Sequence, residues 1–296
     1  MNITNTRTLV ADHLACASLM QRSGSNFALP IRLLPAAKRR GTTALYAFCR
    51  RADDIVDDGD DLEVARRSLD AFEADLGGAL AGAASADPVI RAVVDTVRRF
   101  AVPAEYLRDI VAGCRMDLDR SGYDTVAELE GYCSRVASAV GLAAIHIWGF
   151  RSPQQALPAA RACGLAFQLT NILRDIPEDL ARGRVYLAEE DFRDCGCRSE
   201  DLRAGRLGVG FDRLASLNVA RAADWYRQAA RLDPLLSTDG RVVFRAMFGV
   251  YAALFDAVRR AGTRIFSQRI RPGRSRIAGS AAGTLLLGPR PKRFSY

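Results

Sequence analysis

Histidine is nearly missing from this chain of 296 residues: there are two, His13 and His146. That scarcity leaves little room for a histidine-based zinc centre, and neither histidine neighbours Cys195-Gly196-Cys197, the one close cysteine pair. No window reaches 18 uninterrupted apolar residues, which argues against a membrane-spanning helix. Alternating β-branched runs are missing too, and with them the pattern of a sheet. Met1 to Gln21 has no apolar core of the kind a secretory signal needs, since Arg7, Asp12 and His13 interrupt it. A cytoplasmic protein is therefore expected. Its seven scattered cysteines are expected to be reduced and mostly core-filling.

Acid is absent from one segment. Residues 264–296 carry eight basic side chains and no Asp or Glu, whereas the rest of the chain balances 34 basic against 34 acidic residues. The net charge of +8 thus belongs to this stretch. Its Gly, Ser and Pro content suggests a flexible basic tail following a single domain over residues 1–263. Such a tail suits peripheral contact with anionic lipid at the inner face of a membrane, and equally a disordered, solvated end. Nucleic acid is a poor partner, because the neutral body offers no basic stripe.

What is present is helical patterning. Stretches rich in Ala, Leu and Arg are interrupted by Gly or Pro every fifteen to twenty-five residues, which predicts roughly eight to ten helices in one all-α bundle. Two of these helices are apolar enough to be buried, yet both end in carboxylates. The first contains Ala44-Leu45-Tyr46-Ala47-Phe48-Cys49 and runs into Arg50-Arg51-Ala52-Asp53-Asp54-Ile55-Val56-Asp57-Asp58. Asp53 and Asp57, four residues apart, share a helix face, where like charges cost a few tenths of a kcal/mol. Aspartate is also a poor helix former, so the cluster makes little sense for stability alone.

The second helix repeats the arrangement. Gln168, Asn171, Asp175 and Asp179 follow one another at intervals of 3, 4 and 4, a narrow polar line among Leu, Phe and Ile. Pro177, inside this run, is expected to kink or end the helix. Two aspartate pairs facing each other across a bundle would suit Mg²⁺, which takes one or two carboxylates together with water and substrate phosphate oxygens. A diphosphate held by such ions becomes a good leaving group. Arg174, Arg182 and Arg184 stand beside the second pair as candidate clamps for its oxygens. Phe27, Tyr46 and Tyr132 offer ring faces to a carbocation. Against this, each cluster taken alone reads as a solvated helix end.

Longer motifs decide the matter. Leu33-Leu34-Pro35, Ala44 to Asp58, Tyr132-Cys133-Ser134-Arg135-Val136-Ala137-Ser138-Ala139-Val140-Gly141, Gly164 to Asp179 and Arg182-Gly183-Arg184-Val185-Tyr186-Leu187 resemble the squalene/phytoene synthase family of head-to-head prenyltransferases. The resemblance spans about Ser23 to Arg260. It implies an isoprenoid-synthase helical bundle with a central cavity, and condensation of two allylic diphosphates through a cyclopropyl intermediate. It also implies metal ligation by Asp53, Asp57, Asp175 and Asp179, with Mg²⁺ or Mn²⁺ as the ion. Arg50, Arg174, Arg184 and Tyr186 would contact diphosphate, Gln168 and Asn171 would line the cavity, Tyr132 would act near the leaving group, and Tyr251 would close the site.

Asn26-Phe27 stands where many members have Ser-Phe, which points to two farnesyl diphosphates giving presqualene diphosphate or squalene, the latter needing NADPH. Two geranylgeranyl diphosphates giving phytoene is the alternative. Ala188 replaces a frequent Pro, and Cys195-Gly196-Cys197 matches no family element. A head-to-tail elongase is disfavoured, because Gly59-Asp60-Asp61-Leu62-Glu63 lacks the expected Arg-Arg-Gly. A non-catalytic isoprenoid-binding protein is the reading from another class. His146, in an apolar helix, reads as a packing residue.

Overall fold

The computed structural model describes residues 3–23, 28–57 and 61–294, with only the course of the chain for 3–7, 292 and 293. Fourteen α-helices follow in order: Ile3–Arg22 (α1), Ala28–Ile31 (α2), Ala36–Asp57 (α3), Leu62–Ala81 (α4), Pro88–Phe100 (α5), Ala104–Asp119 (α6), Val126–Cys133 (α7), Ala139–Trp148 (α8), Pro153–Ala181 (α9), Glu189–Asp194 (α10), Ser199–Arg203 (α11), Gly210–Ala229 (α12), Thr238–Ala261 (α13) and Arg274–Leu287 (α14). Three of the fourteen, α2, α10 and α11, are pieces of four to six residues, and α14 lies in the stretch expected as a tail, which leaves ten. Among the described residues there is no strand; isolated bridges pair Gly122 with Val185 and Phe150 with Leu236. None of the described helices is long and apolar enough to cross a membrane.

Local chemistry starts several helices where they begin. Asp87 accepts the Val89 amide at 2.7 Å ahead of α5, with Pro88 at the first helical position. Thr125 and Glu128 cap α7 reciprocally. The buried faces then supply most of the stability, as tertiary packing does for helices generally. Val89, Ile90, Val93 and Val94 of α5 and Leu45, Phe48 and Ala52 of α3 enter one continuous core. The buried carboxylate of Asp12 is met by both ends of the Arg91 guanidinium, tying α1 to α5.

Three close approaches position the site. Between α7 and α8 the chain makes a π-helical turn, Ser134–Ser138, a distortion often found at functional sites. Gly164 of α9 lies against it so tightly that a Cβ there would stand 2.4 Å from the backbone of Ser138. On the other side, a Cβ at Gly113 of α6 would meet the Val136 side chain at 2.6 Å. Lastly, Ser121 accepts the Val185 amide at 2.8 Å, holding the loop after α9 against the end of α6.

Two expectations are corrected. Pro177 does not end its helix: α9 continues to Ala181, since a proline removes a single amide donor and the helix's other hydrogen bonds remain. Residues 264–294, expected as a flexible tail, are folded onto the body. Helix α14 packs on α13, where Gly249 lets Ala281 and Ser280 approach. Phe294 is 1% exposed and stacks on Tyr226 at 4.8 Å between ring centres. Composition suggested flexibility; small residues at the α13–α14 contact and one aromatic anchor provide the order.

Candidate active site

The first aspartate pair ends α3. Arg50 pairs with Asp54 at 2.6 Å rather than with Asp53. Asp53 is within 3.5 Å of the Cys114 thiol of α6. Its side chain is accessible to water although neighbouring atoms surround it, as befits the wall of a cleft. Crowding by those atoms, together with Asp57, raises its pKa to about 6, the Cys114 contact opposing. Asp58, Asn26 and Phe27 lie outside the described residues.

The second pair ends α9. Asp175 is engaged by Arg174, whose Nε donates to Oδ1 at 2.8 Å, and by Arg269, whose Nε is 2.9 Å from the same oxygen. Arg269 also reaches Glu178 at 2.8 Å, and the Ile270 amide donates to the Arg174 carbonyl. A residue placed in the tail by composition therefore stands at the second aspartate motif. Asp179 is raised to about 7, first by burial and then by Asp175, while Arg182 and Arg184 pull it down.

The two motifs face one another. Arg182, beyond the second, is 3.9 Å from Asp57 in the first. Between them stands Asp117 of α6, which the sequence reading missed. Its carboxylate accepts from the Tyr186 hydroxyl at 2.9 Å and from the Tyr132 hydroxyl at 3.2 Å, and its carbonyl accepts from Arg184 at 3.1 Å. Burial raises its pKa; Tyr186, Arg184 and Tyr132 lower it, and Asp57 raises it again. Asp117 also acts electrostatically on Asp53 and Asp179. Tyr132 and Tyr186 stack at 5.2 Å, and Tyr123, also missed, stands 5.4 Å from Tyr132. Asp179, Arg184 and Tyr186 line one narrow cleft. The only sequence signal for Asp117 is an aspartate inside Met116-Asp117-Leu118-Asp119, which periodicity does not single out.

One to two turns before Asp175, α9 packs on α13. Phe167 stacks flat on Tyr251 with centres 3.9 Å apart. Asn171 donates to the Tyr251 hydroxyl at 3.5 Å, and its own carbonyl oxygen is buried without a partner. Gln168 is half-buried on the same helix line. Tyr46 contacts the Ser23 hydroxyl at 2.7 Å.

The donor set fits a divalent cation coordinated largely by water and substrate. Carboxylates crowded enough to be raised towards neutrality are groups whose charge a cation would relieve. Among the described residues no three His, Cys, Asp or Glu converge into a ready-made metal cluster, and Mg²⁺ does not need one, keeping several waters and using substrate oxygens. The remaining candidates fall outside the site. His146 packs between Tyr106 and Phe150, its Nδ1 2.9 Å from the Leu142 carbonyl. His13 lies 3.6 Å from Asp95. All seven cysteines are free thiols.

An all-α bundle with two aspartate-bearing helix ends facing across a cleft is the architecture of isoprenoid synthases. Similar solved structures agree: a dehydrosqualene synthase aligns with a TM-score of 0.83 at 28% identity, over 93% of this chain and 96% of that one. A squalene synthase from Alicyclobacillus acidocaldarius aligns with a TM-score of 0.79 at 30% identity, over 86% and 95%. A phytoene synthase of Mycobacterium tuberculosis is 35% identical over 90% of this chain and 88% of its own length. One from Arthrospira platensis is 34% identical over 86% of each. The squalene/phytoene synthase family model matches residues 20–276. The chain belongs to that family, prenyltransferases that condense isoprenyl diphosphates head to head and generally depend on a divalent metal.

Proposed function

We propose that this protein joins two geranylgeranyl diphosphates into phytoene through a cyclopropyl diphosphate. The observation behind the catalytic reading is a chain of contacts between the two aspartate motifs: Arg182 is 3.9 Å from Asp57, Arg184 and Tyr186 hydrogen-bond Asp117, and Arg182, Arg184 and Asp117 all act on Asp179. The chain-length choice follows the names of the curated relatives, phytoene synthases at 31–35% identity. The farnesyl branch expected from Asn26-Phe27 is less well supported, since that pair lies outside the described residues. It remains the second reading because the similar solved structures are dehydrosqualene and squalene synthases.

In this reading Asp53, Asp57, Asp175 and Asp179 hold the metal ions. When bound, Mg²⁺ or Mn²⁺ would neutralise charge developing on the departing diphosphate. Arg174, Arg184 and Arg269 present guanidinium donors to the diphosphate oxygens, and Arg50 approaches from the opposite helix. The C1–O bond of one substrate breaks and leaves an allylic cation. The double bond of the second substrate attacks it, and loss of a proton closes the cyclopropane. Tyr132 and Tyr186, their hydroxyls oriented by Asp117, stand at the leaving group. The stacked Phe167 and Tyr251 present ring faces that tolerate cationic carbon and exclude water that would quench it. Loss of the second diphosphate, rearrangement and loss of a proton then give phytoene without a reductant, whereas squalene would require hydride from NADPH. Peripheral contact of residues 264–294 with an anionic membrane belongs to the same proposal and rests on their charge.

The test is to incubate purified protein and Mg²⁺ with farnesyl or geranylgeranyl diphosphate, with and without NADPH, and identify products by mass spectrometry. A C40 hydrocarbon supports the proposal, and a C30 product replaces it with the farnesyl branch. If neither substrate releases diphosphate, and Asp53→Asn leaves substrate binding unchanged, the catalytic assignment fails.

A further inference from the structure

The two thiols of Cys195-Gly196-Cys197 sit on the turn between α10 and α11. Three amides fold that turn back on α10: Cys195 donates to the Asp191 carbonyl at 3.1 Å, and Gly196 and Cys197 donate to those of Arg193 and Phe192 at 3.0 Å. Gly196 takes the left-handed conformation, φ +70°, that such a reversal needs. From the other side α12 presses in, and a Cβ at Gly210 would stand 2.8 Å from both the Cys195 carbonyl oxygen and the Cys197 Cβ. Two residues span at most roughly 7 Å when extended, and this turn is folded, so the α-carbons meet the separation that a disulfide requires. The thiols are not equivalent. Cys195 is buried, whereas Cys197 is half-buried and lines a cavity of about 520 Å³ bounded by residues 206–211. The charges on its wall are Asp201, Arg206 and Arg213. Arg206 pairs with Asp201 at 2.6 Å. Arg213 has no ion-pair partner among the described residues, and it lies over the turn, 3.2 Å from where a Gly196 Cβ would be. Burial raises both thiol pKa values and Arg213 opposes it in each. The other five thiols are raised further by burial, Cys16 to about 12.

We propose that Cys195 and Cys197 form a thiol–disulfide exchange site for a small disulfide that bears carboxylates. The Cys197 thiolate attacks one sulfur of that molecule and its S–S bond breaks. One half leaves as a thiolate and takes up the proton that Cys197 lost; the other half stays on Cys197 as a mixed disulfide. Cys195, losing its proton, then attacks the Cys197 sulfur and expels the second half as a thiol. Two electrons pass from the protein to the small disulfide, and a Cys195–Cys197 bond remains. The order of attack follows from exposure: Cys197 faces the cavity and Cys195 stands behind it. Arg213 attracts the carboxylates and favours the attacking thiolate. Closing the bond bears on the reaction cleft, because α11 begins two residues beyond Cys197. From α11, Leu202 lines the cleft with Asp179, Arg184 and Tyr186, and Arg203 donates to the Gly183 carbonyl at 3.1 Å. Drawing Cys197 towards Cys195 loosens that hold on the loop that carries Arg184.

The experiment is limited treatment of the full chain with oxidised glutathione, followed by alkylation of the remaining thiols and tryptic mapping. Cleavage after Arg193 and Arg198 isolates both cysteines in the peptide 194–198. That peptide should lose two hydrogens before the other five cysteines change, and dithiothreitol should restore it. Cys195→Ser should hold glutathione on Cys197 as a trapped mixed disulfide, and Cys197→Ser should react about ten-fold more slowly. The preference for oxidised glutathione over cystamine, a cationic disulfide, should fall about ten-fold in Arg213→Gln. Hydrogen exchange of residues 183–187 should quicken in the oxidised chain. Faster reaction at another cysteine, or equal reactivity of the two serine variants, overturns the exchange site. An unchanged preference in Arg213→Gln overturns the role of that arginine, and unchanged exchange at 183–187 overturns the link to the cleft. None of these measurements needs turnover, so they stand apart from the proposed reaction.

Discussion

Replacing Asp117 by asparagine removes one charge while preserving the shape of the side chain. In the parent that carboxylate takes hydrogen bonds from Tyr186 at 2.9 Å and Tyr132 at 3.2 Å. Asparagine has one acceptor oxygen and an amide that donates, so one hydroxyl loses its charged acceptor and must reverse its hydrogen bond. A hydrogen bond to a charged acceptor contributes about 1.5–3 kcal/mol. If the tyrosines need their present orientation to assist departure of diphosphate, losing one such bond lowers kcat/KM by about 10- to 100-fold. Stability should move little, within about 1 kcal/mol. Burial already raises the Asp117 pKa, so neutralising the group relieves a desolvation cost that offsets the lost bonds. The assay is diphosphate release at saturating Mg²⁺, paired with thermal melting. A variant that folds and keeps kcat/KM within two-fold of the parent would refute the positioning role. A large fall in melting temperature would make Asp117 a structural residue instead. Tyr186→Phe should reproduce part of the kinetic loss without the change in charge.

The remaining predictions concern charge, packing and the C-terminal segment. Asp53 and Asp179 titrate higher when folded, at about 6 and about 7, than the 3.8 of an ordinary aspartate. Their contribution therefore favours folding at low pH and is lost as pH rises through those values. Melting in EDTA should show this loss between about pH 4 and 7 and a plateau above, and stabilisation by Mg²⁺ should be greater at pH 8 than at pH 5.5, because ligation needs the ionised form; equal stabilisation at both would contradict the metal assignment. Gly164→Ala puts a methyl 2.4 Å from the Ser138 backbone; a loss of about 1–3 kcal/mol in denaturant unfolding is expected. Phe294→Ala empties an aromatic slot and should cost about 3–5 kcal/mol if the C-terminal turn unfolds with the body; an unchanged midpoint would return this segment to the status of a tail. Arg269→Gln should raise KM for diphosphate substrate about ten-fold with little effect on stability, since its ion pairs are partly exposed; an unchanged KM would remove it from the site.

Much of the site is readable because it is local. Asp53 with Asp57, and Asp175 with Asp179, share a helix face by spacing alone, and Gln168 and Asn171 continue the second line by the same rule. Arg184 and Tyr186 follow within a few residues and carry family motifs. Asp117 could not be read that way. It lies on α6 amid ordinary helical sequence, and its meaning comes from Tyr132 and Tyr186, hydroxyls delivered by two other segments. Tyr123 is in the same position. Arg269 was misplaced because composition describes average behaviour, whereas its contacts with Asp175 and Glu178 depend on where the chain returns.

By itself the sequence determined the helical class, the two aspartate pairs and the polar line leading to the second, because these depend on 3.6-residue periodicity and on like charges that helix stability does not explain. Tertiary structure decided which faces meet. Gly164 and Gly113 admit the π-helical turn between α9 and α6, and Tyr132, from the helix before that turn, reaches Asp117 of α6. Gly249 admits α14, and Phe294 finds its slot against Tyr226. A missing Cβ and a buried ring act through space at distances of a few ångströms, between residues that the chain separates by tens of positions.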